Sequence, residues 1–135
     1  MKKHNGEYAR VLVTKAEHDW KVVCVGLEAD LSNDTICFHI QQTAEKLLKA
    51  LLVWKDLDYP FTHDLKGLLK LVVPVFPALA EFGDALPLYS EYATILRYDE
   101  TADPSDAETE AAFETVKRLR DIVHAMLPPE ARPAQ

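Results

Sequence analysis

The chain has 135 residues, 48% of them apolar and 27% charged, with a formal net charge of −7. A domain of that size buries a core large enough to stand without disulfides or a metal. The negative balance argues against a general duplex-DNA binder, which needs a basic face to meet phosphates, but leaves room for a local basic pocket.

The first periodic segment runs over about 8–28, where Tyr8, Leu12, Ala16, Trp20, Val23 and Leu27 recur at helical steps. Leu31-Ser32-Asn33-Asp34 breaks it and supplies caps for a second helix over about 35–54. There Ile36, Ile40, Leu47, Leu48, Leu51 and Leu52 make a broad apolar stripe. Roughly opposite, His39, Gln42, Lys46 and Lys49 fall within one sector of ~80°, the best-defined polar face in the chain. A connection through Pro60 leads to a third helix over about 63–73, with Thr62 as N-cap and Leu65, Leu68, Leu69, Val72 and Val73 on its apolar side. Pro74 and Pro77 end or kink it. Leu79 and Phe82 predict a short turn interrupted by Gly83, and Pro87 starts a fourth helix over about 87–96.

Residues 99–114 are acid-rich and contain no base. Within them a last helix over about 105–126 begins, either at a cap on Asp103 with Pro104 in the first turn or at a Ser105/Glu108 capping box. Phe113, Val116, Leu119 (or Arg120), Val123 and Leu127 give its apolar side, and residues 128–135 read as a frayed tail. No segment reads as a strand, so the expected fold is all-α, an up-and-down antiparallel bundle of about five helices in a single domain. Cys24 and Cys37 are expected as buried, reduced thiols. Met1 to Gly6 leads into mixed polarity, and the apolar-rich stretches carry charges and prolines. A cytoplasmic protein with no membrane span follows as the expectation.

Three blocks carry a family resemblance. Ile36 to Leu52, with Phe38, His39, Gln42, Glu45, Lys46, Lys49 and Ala50, resembles the long helical signature of the HEPN family. Tyr59-Pro60-Phe61-Thr62-His63-Asp64-Leu65 is similar to its Pro-x-Thr-His-Asp-Leu block, and Tyr92 to Tyr98 to its block ending in Arg-Tyr. The resemblance implies a helical bundle, commonly a homodimer, of the kind often found in prokaryotes beside a small nucleotidyltransferase in toxin–antitoxin-like pairs. It also implies two functional classes: metal-independent RNases with an Arg-x(4–6)-His motif completed across the dimer, and members without it that bind nucleotides or act as partners. Phe61 stands where a basic residue often precedes Thr-His, and Asp99 where Pro often follows Arg-Tyr. The first departure removes one phosphate contact.

The nucleotide-binding candidates are therefore His39, Gln42, Lys46, Lys49, Thr62, His63, Arg97 and Tyr98. Side chains of these types donate to phosphate or base edges, and the start of the third helix offers N–H groups to an anion. The plainer alternative is a solvated face, with Glu45 and Lys49 paired at i,i+4 and Thr62 a simple cap. Arg118 and His124 form the only Arg-x5-His match. Six residues apart on one helix they point ~120° away from each other, so they would not converge within one protomer. No zinc spacing, P-loop, nucleophile elbow, dinucleotide glycine pattern or Glu-x-x-His occurs, and neither cofactor nor metal is expected. The leading expectation is a non-catalytic, nucleotide-associated HEPN homodimer working with a nucleotidyltransferase-like partner. The alternatives are an endoribonuclease using Arg118 and His124, and a structural bundle without ligand. Surface aromatics, with Tyr89, Tyr92, Phe113 and Trp54 on or near helix faces, add to the case for a dimer.

Overall fold

The computed structural model describes residues 5–94 and 103–133, and its described elements are all helical. They are α1 (Asn5–Glu28), α2 (Asn33–Trp54), α3 (Leu65–Val72) and α4 (Asp106–Met126), with short 3-10 helices at Pro77–Phe82, Leu86–Ala93 and Pro129–Ala131. An all-α bundle is what the periodicity predicts, and helices 2 and 4 fall within two residues of their expected limits.

The central element is α2. Its apolar stripe is buried as expected, but Cys37, Gln41, Thr43, Glu45 and Ala50 are buried too, so the helix is covered almost all round. α1 runs antiparallel to it, turning back through Asp30, whose φ of 58° puts a non-glycine residue in the left-handed region. The buried side of α1 is Ala9, Val13, Ala16, Asp19, Trp20, Val23 and Gly26, rotated from the expected stripe so that Tyr8 and Leu27 are exposed. Small residues explain the rotation. A Cβ at Gly26 would lie 3.1 Å from Ile36 Cγ1 and 3.2 Å from Leu31 Cδ1, so the backbones approach on the glycine side. Cys24, one position past Val23, consequently faces outward, contrary to its expected burial.

The N-terminus of α4 is locked by the capping box, with Glu108 N–H donating to Ser105 Oγ (3.0 Å) and Ser105 N–H to Glu108 Oε1 (3.1 Å). Asn33 Nδ2 ties the start of α2 to it through Pro104 O and Asp106 Oδ1. α4 then follows α2, burying Thr109, Ala112, Val116, Leu119 and Val123, while Phe113 stacks on Trp20 with centroids 4.9 Å apart.

Between α3 and α4 the expectation of a second short α-helix over 87–96 is corrected. Leu86–Ala93 is 3-10, with Pro87 in its first turn, where the missing N–H costs no ladder bond. α3 likewise starts at Leu65 rather than 63, and its N-cap is Asp64, which accepts from Lys66 N–H; Thr62 is not the cap. Tyr89 and Tyr92 are buried and stack on each other, so they lend nothing to a surface for a second copy. Burial also pushes the Tyr92 hydroxyl pKa far upward. Finally, the chain after α4 is not frayed throughout: Ala131 is buried, and Arg132 donates to Leu127 O.

Candidate functional site

The polar sector of α2 is not a solvated face. Its charged groups are drawn inward by two buried carboxylates. The first is Asp19, on the buried side of α1, with His39 Nδ1 2.8 Å from Oδ1 and Lys46 Nζ bound to Oδ2. The second is Glu45 on α2 itself, whose side chain is only 6% exposed. Its Oε1 accepts from His63 Nδ1 (2.7 Å) and Gln41 Nε2 (3.1 Å), and its Oε2 accepts from Lys49 Nζ (3.0 Å). Burial alone would raise the carboxyl pKa. The bonds from His63, Gln41 and Lys49 outweigh it and hold Glu45 below the usual glutamate range. An ionised carboxylate only accepts, so His63 Nδ1 carries a hydrogen and the outer nitrogen, Nε2, points away from Glu45.

These bonds also fix the connection from α2 to α3. Gln41 Nε2 donates to His63 O (3.1 Å) as well as to Glu45, and its own Oε1 accepts from Gln42 Nε2 (2.7 Å). Lys49 Nζ lies 5.4 Å from the Tyr59 ring centroid and 5.9 Å from that of Phe61, a cation held between two aromatic rings. Phe61 itself is 106% exposed, as open as in an extended peptide, and the His63 side chain beside it is 57% exposed. The start of α3 is already occupied by the protein's own acceptors. Leu65 N–H donates to Ser90 Oγ (2.9 Å), Lys66 N–H to Asp64 Oδ1 (3.1 Å) and Asp64 N–H to Thr62 Oγ1 (3.0 Å).

Arg118 and His124 lie on different flanks of α4. Arg118 makes an exposed two-pronged pair with Glu81, at 2.8 and 3.1 Å. His124 faces α1, where its Nε2 is 3.6 Å from Glu17 Oε1 and, among the described residues, has no hydrogen-bond partner. Glu17 is itself gripped by Arg120 at 2.6 and 2.7 Å. Burial first of all lowers the His124 pKa; Glu17 pulls it up and Arg120 pushes it down. Among the described residues no group of His, Cys, Asp and Glu is arranged to hold a metal ion.

The family model of the HEPN domain matches residues 9–126, from the second turn of α1 to the last residue of α4. The chain belongs to the HEPN domain family. No curated protein and no solved structure matches it. Two of its three HEPN-like blocks meet at the Glu45 cluster, since Gln41, Glu45 and Lys49 belong to the first and Tyr59, Phe61 and His63 to the second. Arg97 and Tyr98 of the third block lie outside the described residues. Lys49 and His63 share one carboxylate, Lys46 and His39 share the other, and Gln42 reaches the first network through Gln41. Thr62 turns toward the backbone of Asp64.

Sequence reasoning missed the two organising carboxylates. The signal for Asp19 was legible: it falls between Ala16, Trp20 and Val23 in the apolar sector of α1, where an acid needs a buried partner. Glu45 was visible only as a surface partner of Lys49. Its burial depends on the α2–α3 connection folding back over it. No helix of the described residues is long and apolar enough to cross a membrane.

Proposed function

We propose that this HEPN domain is a non-catalytic, nucleotide-associated module that works as a homodimer with a nucleotidyltransferase-like partner, in a toxin–antitoxin-like pair. The observation that carries the reading is the cluster at the end of α2, where Lys49 and His63 converge on Glu45 beside two aromatic rings. Its groups are fixed from beneath by Glu45 and Gln41, while the Phe61 ring and the His63 side chain are open to a ligand from outside. The engagement of Arg118 by Glu81, and of His124 with α1, weighs against a prepared Arg–His pair in the isolated protomer. Exposed Tyr8, Val11 and Leu88 offer apolar surface for a second copy or a partner. The α4-side hollow of about 430 Å³ is lined by Asp30, Asp106, Glu110 and Glu114, and its carboxylates would repel a phosphate.

The test is a calorimetric screen of the four 5′-ribonucleoside monophosphates against the purified chain, repeated with His63→Ala. At least one monophosphate binds the parent, and the variant binds it several-fold more weakly. Binding by none of them, or metal-free RNA cleavage that His124→Ala abolishes, would replace this reading with the structural bundle or the endoribonuclease respectively.

A further inference from the structure

We infer that the ligand of the Glu45 cluster is gripped by the face of its base, on the Phe61 ring, and not by its phosphates. This rests on the nucleotide reading above and narrows it to a nucleoside or a single unpaired nucleotide.

The argument starts from what each group already holds. A phosphate site needs cations or N–H groups with unused donors. Here Lys49 gives its ammonium to Glu45 and to the Tyr59 and Phe61 rings, and its side chain is only 14% exposed. Lys46 is bound by Asp19, and the leading N–H groups of α3 are bound by Asp64 and Ser90. Formally Lys49 cancels Glu45 and Lys46 cancels Asp19. The adjoining connection carries Asp56 and Asp58, which line a hollow next to Tyr59. Lys55 and Lys66 of the same stretch are matched by Asp56, Asp58 and Asp64, so a triphosphate approaching this end of α2 meets no net positive charge and gains little from Coulomb attraction.

What remains open is different in kind. Phe61 presents its whole ring to solvent. The ring centroid lies 5.9 Å from Lys49 Nζ and two residues before the anchored His63, which keeps it beside the cluster. Stacking on such an open ring tolerates any base. The His63 Nε2 edge, turned outward by the Nδ1 bond to Glu45, is placed to meet a base edge or a sugar hydroxyl.

The experiment measures affinity for a nucleoside, its 5′-monophosphate, its 5′-triphosphate and inorganic phosphate, at two salt concentrations. It is run on the parent chain, Phe61→Ala and Phe61→Trp. Nucleoside and triphosphate are expected to bind within about threefold of each other, because without phosphate contacts there is little counterion release to separate them. Inorganic phosphate does not compete. Phe61→Ala weakens nucleoside binding by about fivefold to 150-fold, the loss of one base–aromatic stack, and Phe61→Trp restores it. Phe61 is fully exposed, so neither variant disturbs the core. Triphosphate binding more than about tenfold tighter than nucleoside, with Phe61→Ala unchanged, overturns the inference and leaves the nucleotide reading standing. Failure of every nucleoside and nucleotide to bind overturns both.

Discussion

Replacing Glu45 by Ala is the sharpest perturbation of the network. The carboxylate is buried and accepts from His63, Gln41 and Lys49 at 2.7, 3.1 and 3.0 Å. Removing it leaves the fully buried Gln41 amide without one acceptor and the Lys49 ammonium without its counter-ion. Breaking a buried ion pair from one side costs about 3–5 kcal/mol. His63 is more than half exposed and can rehydrate, and Lys49 keeps its two rings, so the lower end applies, about 3 kcal/mol. With a urea m-value of about 1.5 kcal/mol/M, the unfolding midpoint falls by about 2 M. Glu45→Gln keeps an oxygen for His63 and Gln41 but turns an amide N–H toward the Lys49 ammonium, which loses its counter-ion as in the Ala variant, so it too costs about 3 kcal/mol. The pH dependence has a definite sign. The native carboxyl pKa lies below its unfolded value, so this contribution is complete above the ordinary glutamate range and is lost as pH falls through the lowered native value. Glu45→Gln therefore flattens the acid limb of the stability profile. A Glu45→Ala midpoint within about 0.3 M of the parent would show that the cluster does not hold the α2–α3 connection to α2, and the reasoning would fail.

Four further outcomes follow from other parts of the molecule. His124 has a native pKa lowered chiefly by burial, so stability is full above about pH 6.5 and falls as the pH drops through the lower native value; His124→Gln should reduce the loss in thermal midpoint between about pH 7.5 and 5.5. Ser105→Ala removes half of the capping box and should cost about 1 kcal/mol in a urea titration, whereas a neutral result would mean that α4 is held by Asn33 alone. Purified protein should leave RNA intact without metal, and Arg118→Ala should leave the thermal midpoint nearly unchanged, since its pair with Glu81 lies at the surface. Light scattering at micromolar concentration should give about twice 15.3 kDa, and a monomer there would remove the homodimer from the account.

Much of the fold was legible because α2 and α4 have the apolar stripes of long amphipathic helices, with a complete capping box before the second of them. The stripe of α1 reads one position off because Tyr8 and Leu27 are bulkier than Ala9 and Gly26, although close backbone approach selects the small residues. The 3-10 character of Leu86–Ala93 was not legible, because Pro87 in a first turn and the spacing of Tyr89, Tyr92 and Ala93 suit an α-helix as well. At the site, Lys49 and His63 were legible as single candidates, and the carboxylate that both bond, Glu45, was not. Asp19's need for a buried partner was legible, but that the partners are His39 and Lys46 on another helix was not, and Glu45 read only as a surface partner of Lys49. That difference turns an expected phosphate cradle into a nearly neutral platform.

Amide chemical-shift mapping of the ¹⁵N-labelled chain, titrated with the mononucleotide that binds best, tests the central claim most directly. The account predicts the largest shifts at Gln42, Lys49, Phe61 and His63, with α4 from Glu114 to His124 unmoved. Shifts concentrated on Arg118 and His124, or absent throughout, would contradict it.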